Sequence, residues 1–229
     1  MPTMIEAKLS SNQTLIEAFR YFVDETAFPC IVAKAALHRN GIEFLVGYDI
    51  RSDTSDQSLY AAISALTHYD KIAPHPFQSL VMLFELCSTQ SEIDYEKHLW
   101  HRLNALTVID VQNGHSPDPQ FSADPENTNF ALSIAGEAFF VVGLHPNASR
   151  PARRFQCPAI VFNSHRQFAH LRTTGQYEPM RNKIIHRDTI FSGTPNPMLA
   201  RHGERSEARQ YSGRVVGDDW KCPLIARKV

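Results

Sequence analysis

From residue 193 onward the chain sets Gly193, Pro195, Pro197, Gly203, Gly213, Gly217 and Pro223 among mostly polar residues. Such a stretch interrupts helices and strands too often to bury a core of its own. It has to lie over a core built by the residues before it. The 229 residues therefore form one domain, 1–229, and that length suffices to bury a substantial core.

Ahead of this tail, hydrophobic spacing sets out the elements. Leu15, Ile16, Phe19, Phe22 and Val23 recur at helical intervals, which predicts a helix from about residue 12 that stops before Phe28-Pro29-Cys30. Apolar runs at 30–37 and 42–50 flank His38-Arg39-Asn40-Gly41. An Asn-Gly pair in that position predicts two antiparallel strands joined as a hairpin. Leu59, Ala62, Ile63 and Leu66 mark a second helix, 80–86 a strand, and Ile93, Leu99, Trp100, Leu103 and Leu106 a third helix. Residues 113–129, rich in Pro, Asp and Asn, read as a loop. Runs at 130–134 and 138–144 around Gly136 predict another hairpin, 159–162 a short strand, and 165–172 and 180–187 helices. The expected fold class is α+β, with a mainly antiparallel sheet, flanking helices and a long irregular C-terminal segment held by its arginines.

Several classes are excluded at once. The longest wholly apolar run, 138–144, is far shorter than the roughly 20 residues of a membrane-spanning helix, so no membrane partner is expected. The first ten residues lack the basic start and apolar stretch of a secretory signal, which points to a cytoplasmic, reducing location. The four cysteines, Cys30, Cys87, Cys157 and Cys222, show no close paired spacing of a zinc site and read as thiols. No Gly-rich phosphate loop and no Gly-x-Ser-x-Gly elbow occurs, so nucleotide hydrolysis and serine esterase chemistry lack support.

A net charge of −1 conceals two opposite halves. Residues 1–142 carry eight Lys and Arg against 18 Asp and Glu; residues 143–229 carry 15 against six, and 12 of those 15 are arginine. Arginine presents a planar fork suited to carboxylate and phosphate, so the second half is expected to hold anions or to pair with the acidic first half. A nucleic-acid partner is not expected, because the total is near neutral and no binding motif is present.

The densest chemistry lies where the run 138–144 feeds His145-Pro146, with Arg150, Arg153 and Arg154 following within nine residues of His145. An imidazole can ligate iron and Arg forks can hold the carboxylates at one edge of a heme. His145 is thus the first candidate metal ligand, and Arg150, Arg153 and Arg154 the candidate cofactor-binding residues. His165, beyond the next strand, is the second candidate ligand. With Gln167 it could otherwise stand on the distal side and donate to bound O2. Cys30 and Cys222, each beside a proline, are the thiolate alternatives.

Phe28-Pro29-Cys30, Gly143-Leu144-His145-Pro146 with Ser149-Arg150 and Arg153-Arg154-Phe155, Phe162-Asn163 with His165 and Gln167-Phe168, Asn196-Pro197-Met198-Leu199, Ser206 through Arg214, and Trp220 with Cys222-Pro223 stand in one order along the chain. Together they resemble the YqcI/YcgG family over nearly the whole length. That resemblance implies a heme-dependent oxygenase that hydroxylates a nitrogen of a guanidino or amino-acid-like small molecule, using heme (iron protoporphyrin IX), O2 and an external electron donor. A non-catalytic heme-binding or heme-sensing protein is the alternative. For a cationic guanidinium substrate, Glu207 in Ser206-Glu207-Ala208-Arg209 is the best matched acid, and Arg209 its companion in the same motif.

Overall fold

In the computed structural model, which describes residues 4–72, 77–201 and 203–225, a five-stranded sheet separates two layers of helices and loops. Along the chain the elements are α1 (Met4–Asp24), α2 (Ile31–His38), β1 (Ile42–Gly47), α3 (Asp56–Ile72), β2 (Ser79–Phe84), α4 (Glu92–Gln112), β3 (Leu132–Ile134) and β4 (Glu137–Leu144). A 3-10 turn (Pro151–Arg153), β5 (Ala159–Ser164), α5 (His165–Thr173), α6 (Tyr177–Ser192) and the single turn α7 (Ala208–Tyr211) follow. Strand order is β1-β2-β5-β4-β3. β1 and β2 run parallel, with α3 between them in sequence, and the remaining pairs are antiparallel.

Period-two alternation assigns each strand residue to a layer. In β2 all six residues are buried. Leu80, Met82 and Phe84 face α3 and α4, joining Leu59, Ile63, Leu99, Trp100 and Leu103. Val81 and Leu83 face the other way, against Phe19 and Val23 of α1 and Phe155. β5 repeats the pattern: Ile160 and Phe162 join the first cluster, Ala159 and Val161 the second. The central strands are thus covered on both faces, which is why they read as nearly continuous apolar runs.

Most expected elements are present: α1, α3, α4, β2, the β3–β4 hairpin, β5, α5 and α6 fall on the segments that hydrophobic spacing marked. The β3–β4 turn places Ala135 at φ 53° and Gly136 at φ 72°, the left-handed pair of a tight hairpin. The hairpin expected around Asn40-Gly41 is corrected. Residues 31–38 are helix α2, capped by Ala33 N–H donating to Cys30 Sγ at 3.4 Å. Asn40 (φ 55°) ends that helix, and Gly41 N–H donates back to Ala36 O at 2.8 Å. A left-handed residue after a helix and one inside a tight hairpin carry the same local signal. β1 then pairs with β2, not with residues 31–38.

The tail does wrap. Arg214 binds Glu96 of α4 through Nε at 2.9 Å and Nη2 at 2.5 Å, and Asn104 Nδ2 donates to Pro223 O at 3.1 Å. α7 lays Tyr211 into the α3–α4 core, fully buried.

Candidate functional site

On the α1–α2 side of the sheet, two cavities adjoin beside Phe140 of β4. The first, about 230 Å³, lies between β4, α5, α6 and the tail; its apolar walls include Phe140, Phe168, Leu171, Met180 and Ile184. The second, about 260 Å³, lies under α1 and the 3-10 turn and is walled by Phe19, Phe22, Phe28 and Val142. Both touch Phe140, Ile184, Leu199 and Gln210. Together they reach the size of small-molecule sites, roughly 300–1,000 Å³.

His165 stands on the wall of the first cavity, at the start of α5, where β5 ends. Ser164 caps that helix by accepting from Arg166 N–H, and this fixes the direction in which His165 leaves the strand. His165 Nε2 lies 3.1 Å from Glu207 Oε1, and both residues are buried. Tyr211 Oη lies 2.6 Å from the same oxygen and 3.1 Å from Phe139 O, so its one hydrogen serves two acceptors, while Leu132 N–H donates to it at 3.2 Å. Burial and the facing Glu207 carboxylate hold the Tyr211 hydroxyl well above its ordinary pKa. The arrangement is a cavity-facing imidazole oriented by a buried carboxylate, which a buried phenol orients in turn.

His145 has a different setting. It is completely buried, lines neither cavity, and stacks on Tyr95 of α4 with ring centroids 4.3 Å apart and planes inclined by 18°. Neither ring nitrogen has a hydrogen-bond partner among the described residues. Desolvation, opposed by Glu92 and reinforced by Arg153, pulls its pKa down to about 4. The structure does not bring His145 and His165 to one cavity.

The three arginines after His145 go to three destinations. Arg150 is paired with Asp188 of α6 at 2.6 Å and donates to Thr194 O at 3.1 Å. Arg153 donates to Gly143 O at 3.0 Å and Gln210 O at 3.2 Å. Desolvation lowers its pKa to about 10, against the opposing pull of Tyr95 and Asp188. Both line the second cavity. Arg154 is exposed, closes its own loop through Ala148 O and Ser149 O, and lines neither cavity.

Among the other candidates, Gln167 is buried and donates to Gln78 O at 3.2 Å, outside both cavities. Arg209 lies over the Trp220 ring at 5.5 Å and binds Gly217 O, in a polar groove that His165 does not line. Cys30 lines the second cavity, its thiol pKa pushed up by burial, and burial likewise pushes Cys222 up to about 12. Neither thiol is poised to ionise near neutrality.

Spacing did not single out Arg172, Arg181, Arg201 or Arg205, all of which line the first cavity, nor Tyr211 behind Glu207. The available signal was the excess of arginine after residue 142, which does not say where each one points. Among the described residues no group of three or more His, Cys, Asp or Glu is placed to hold a metal ion, and no helix is long and apolar enough to cross a membrane. A heme iron asks the protein for an axial side chain, not a cluster.

The sequence model of the YqcI/YcgG family matches residues 19–225. No curated protein and no solved structure matches the chain.

Proposed function

The chain belongs to the YqcI/YcgG family, and from that premise we propose that it is a heme-dependent oxygenase hydroxylating a nitrogen of a guanidino or amino-acid-like small molecule with O2 and an external electron donor. One observation carries the reading: an imidazole, His165, faces an apolar cavity while a buried carboxylate, Glu207, holds its Nε2 at 3.1 Å. That is the set a heme pocket draws on: a ring nitrogen for the iron, a carboxylate fixing the ring, apolar walls for the macrocycle and arginines for its carboxylates. The residues present fit the group.

When bound, heme supplies the activation of O2. The chain's own residues do the rest. His165 is the side chain that would hold the iron. His145 is shut against Tyr95, so the reading rests on His165. Glu207 keeps the His165 ring oriented and Tyr211 keeps Glu207 oriented. Phe140, Phe168 and Leu171 exclude water. Neither cavity alone reaches the usual size of such a site, so the group and the small molecule would draw on both, with Asp188 and Asn163 among the polar side chains that interrupt the apolar walls of the second.

The test is reconstitution of the full chain with hemin. A Soret band altered by His165→Ala but not by His145→Ala is expected. Addition of reductant, O2 and arginine or other amines is then expected to yield a product carrying one added oxygen. Absence of a Soret band overturns the reading. A Soret band without product under any amine reduces the protein to a heme binder or sensor.

A further inference from the structure

We infer that Arg172 and Arg201 form an anion-binding mouth of the His165 cavity, and that it takes the carboxylate end of an amphipathic ligand whose apolar body lies inside. The inference rests on the cavity as a binding site and, for its preferred ligand, on the heme reading. Both arginines line the cavity, and both also line a groove of about 300 Å³ just outside it, together with Gly175, Tyr177 and Glu178. Cavity and groove therefore adjoin at these two side chains.

Charge makes the mouth one-sided. Arg181 adds another guanidinium group to the cavity, as does Arg205, which is 3.7 Å from the exposed Asp218, while the one acid among the described lining residues, Glu207, is engaged by His165 and Tyr211. The one acid on the groove is Glu178. Arg172 is held in place by stacking on the Tyr177 ring, 4.5 Å from its centroid, which leaves the edge donors of its fork for a ligand. α6 begins at the same groove with no side-chain cap on its first turn, and its amide end adds to the positive potential.

The arginines near His145 are arranged otherwise. Arg150 is neutralised by Asp188, and Arg153 and Arg154 are directed to backbone carbonyls of their own chain. Guanidinium groups already bonded in this way hold the fold together; Arg172 and Arg201, which line an apolar cavity with no carboxylate paired to their guanidinium groups among the described residues, call for an anion from outside. For heme, the carboxylate edge then lies toward the α5–α6 corner and not toward the turn at 150–154.

The experiment measures equilibrium binding of hemin, hemin dimethyl ester and 8-anilinonaphthalene-1-sulfonate to the full chain, followed by absorbance and fluorescence. The variants are Arg172→Gln with Arg201→Gln, and Arg154→Gln as the control. All three substituted residues are exposed, and matching melting curves will establish that the variants fold. The double variant is expected to bind hemin at least tenfold more weakly, to bind the dimethyl ester as the parent does, and to lose affinity for the sulfonate; Arg154→Gln is expected to change none of these. Unchanged hemin and sulfonate affinities in the double variant overturn the inference. If the parent takes up no hemin but binds the sulfonate through Arg172 and Arg201, the mouth stands and the heme reading falls. If the parent binds neither probe, both fall.

Discussion

His145 and Tyr95 stack face to face, 4.3 Å between centroids, in a part of the core where the imidazole has no hydrogen-bond partner among the described residues. The folded imidazole protonates only near pH 4, against roughly 6.5 in an unfolded chain. Between those values the unfolded chain binds a proton that the folded chain refuses, so stability falls as pH drops from about 6.5 to about 4 and this contribution levels off below. The full span corresponds to on the order of 3 kcal/mol. His145→Gln, uncharged throughout, is expected to show a shallower loss than the parent in urea unfolding at pH 7, 5.5 and 4.5. Parallel curves for the two proteins would contradict the assignment.

Tyr211→Phe keeps the ring that packs against Trp100 and Phe140 but removes the hydroxyl shared by Glu207, Phe139 O and Leu132 N–H. The Leu132 amide is then left without this buried acceptor, which costs about 1–3 kcal/mol. Urea midpoints are expected to fall accordingly. A hemin-loaded variant is expected to show a displaced Soret band, because Glu207 is no longer fixed against His165.

Asp56 and Arg102 form a buried pair at 2.9 Å between α3 and α4, where the Arg102 side chain is 2% exposed. Asp56→Ala strands that guanidinium with Ser52 O as its remaining acceptor among the described residues, and a loss of about 3–5 kcal/mol is expected. The double variant Asp56→Leu with Arg102→Met is expected to recover most of it, since an apolar pair avoids the desolvation of two charges. Chemical denaturation of the parent and of both variants tests the two statements.

Gly143 sits in β4 where a β-carbon would meet Tyr95 Oη at 2.6 Å and the carbonyl oxygen of Tyr211 at 2.9 Å. The latter is backbone and cannot swing aside. Gly143→Ala is therefore expected to cost roughly 1–3 kcal/mol by overpacking. It is also expected to disturb the Arg153 hydrogen bond to Gly143 O, visible as faster exchange of nearby amides.

Elements that form from their own periodicity were readable in advance, among them the Leu99-Trp100-Leu103-Leu106 face of α4 and the tight turn at Gly136. Asn40-Gly41 misled because a helix end and a hairpin both want a left-handed residue there. Three alanines in 31–38 were the clue to helix, since alanine is the strongest helix former and a weak strand former. At the site, the sequence brought His165 and Glu207 into consideration but not to each other, because they meet across 42 residues. His145 looked exposed to chemistry because the ring that covers it, Tyr95, comes from an element 50 residues earlier. Such pairings depend on how β4, α4 and the tail pack, and nothing in the local sequence encodes them.

The tail that wraps the sheet also imposes an order of events during synthesis. Glu207 reaches the first cavity, with Tyr211 behind it, from a segment translated after α5 and α6, and Leu199 and Gln210, shared by both cavities, belong to it as well. A nascent chain that has emerged only as far as Gly193 can pair its strands, yet it presents His165 without a tether and a pocket lacking one side. The pocket is thus complete only once the closing segment has been translated, and its connectivity ties the walls around His165 to the end of the chain.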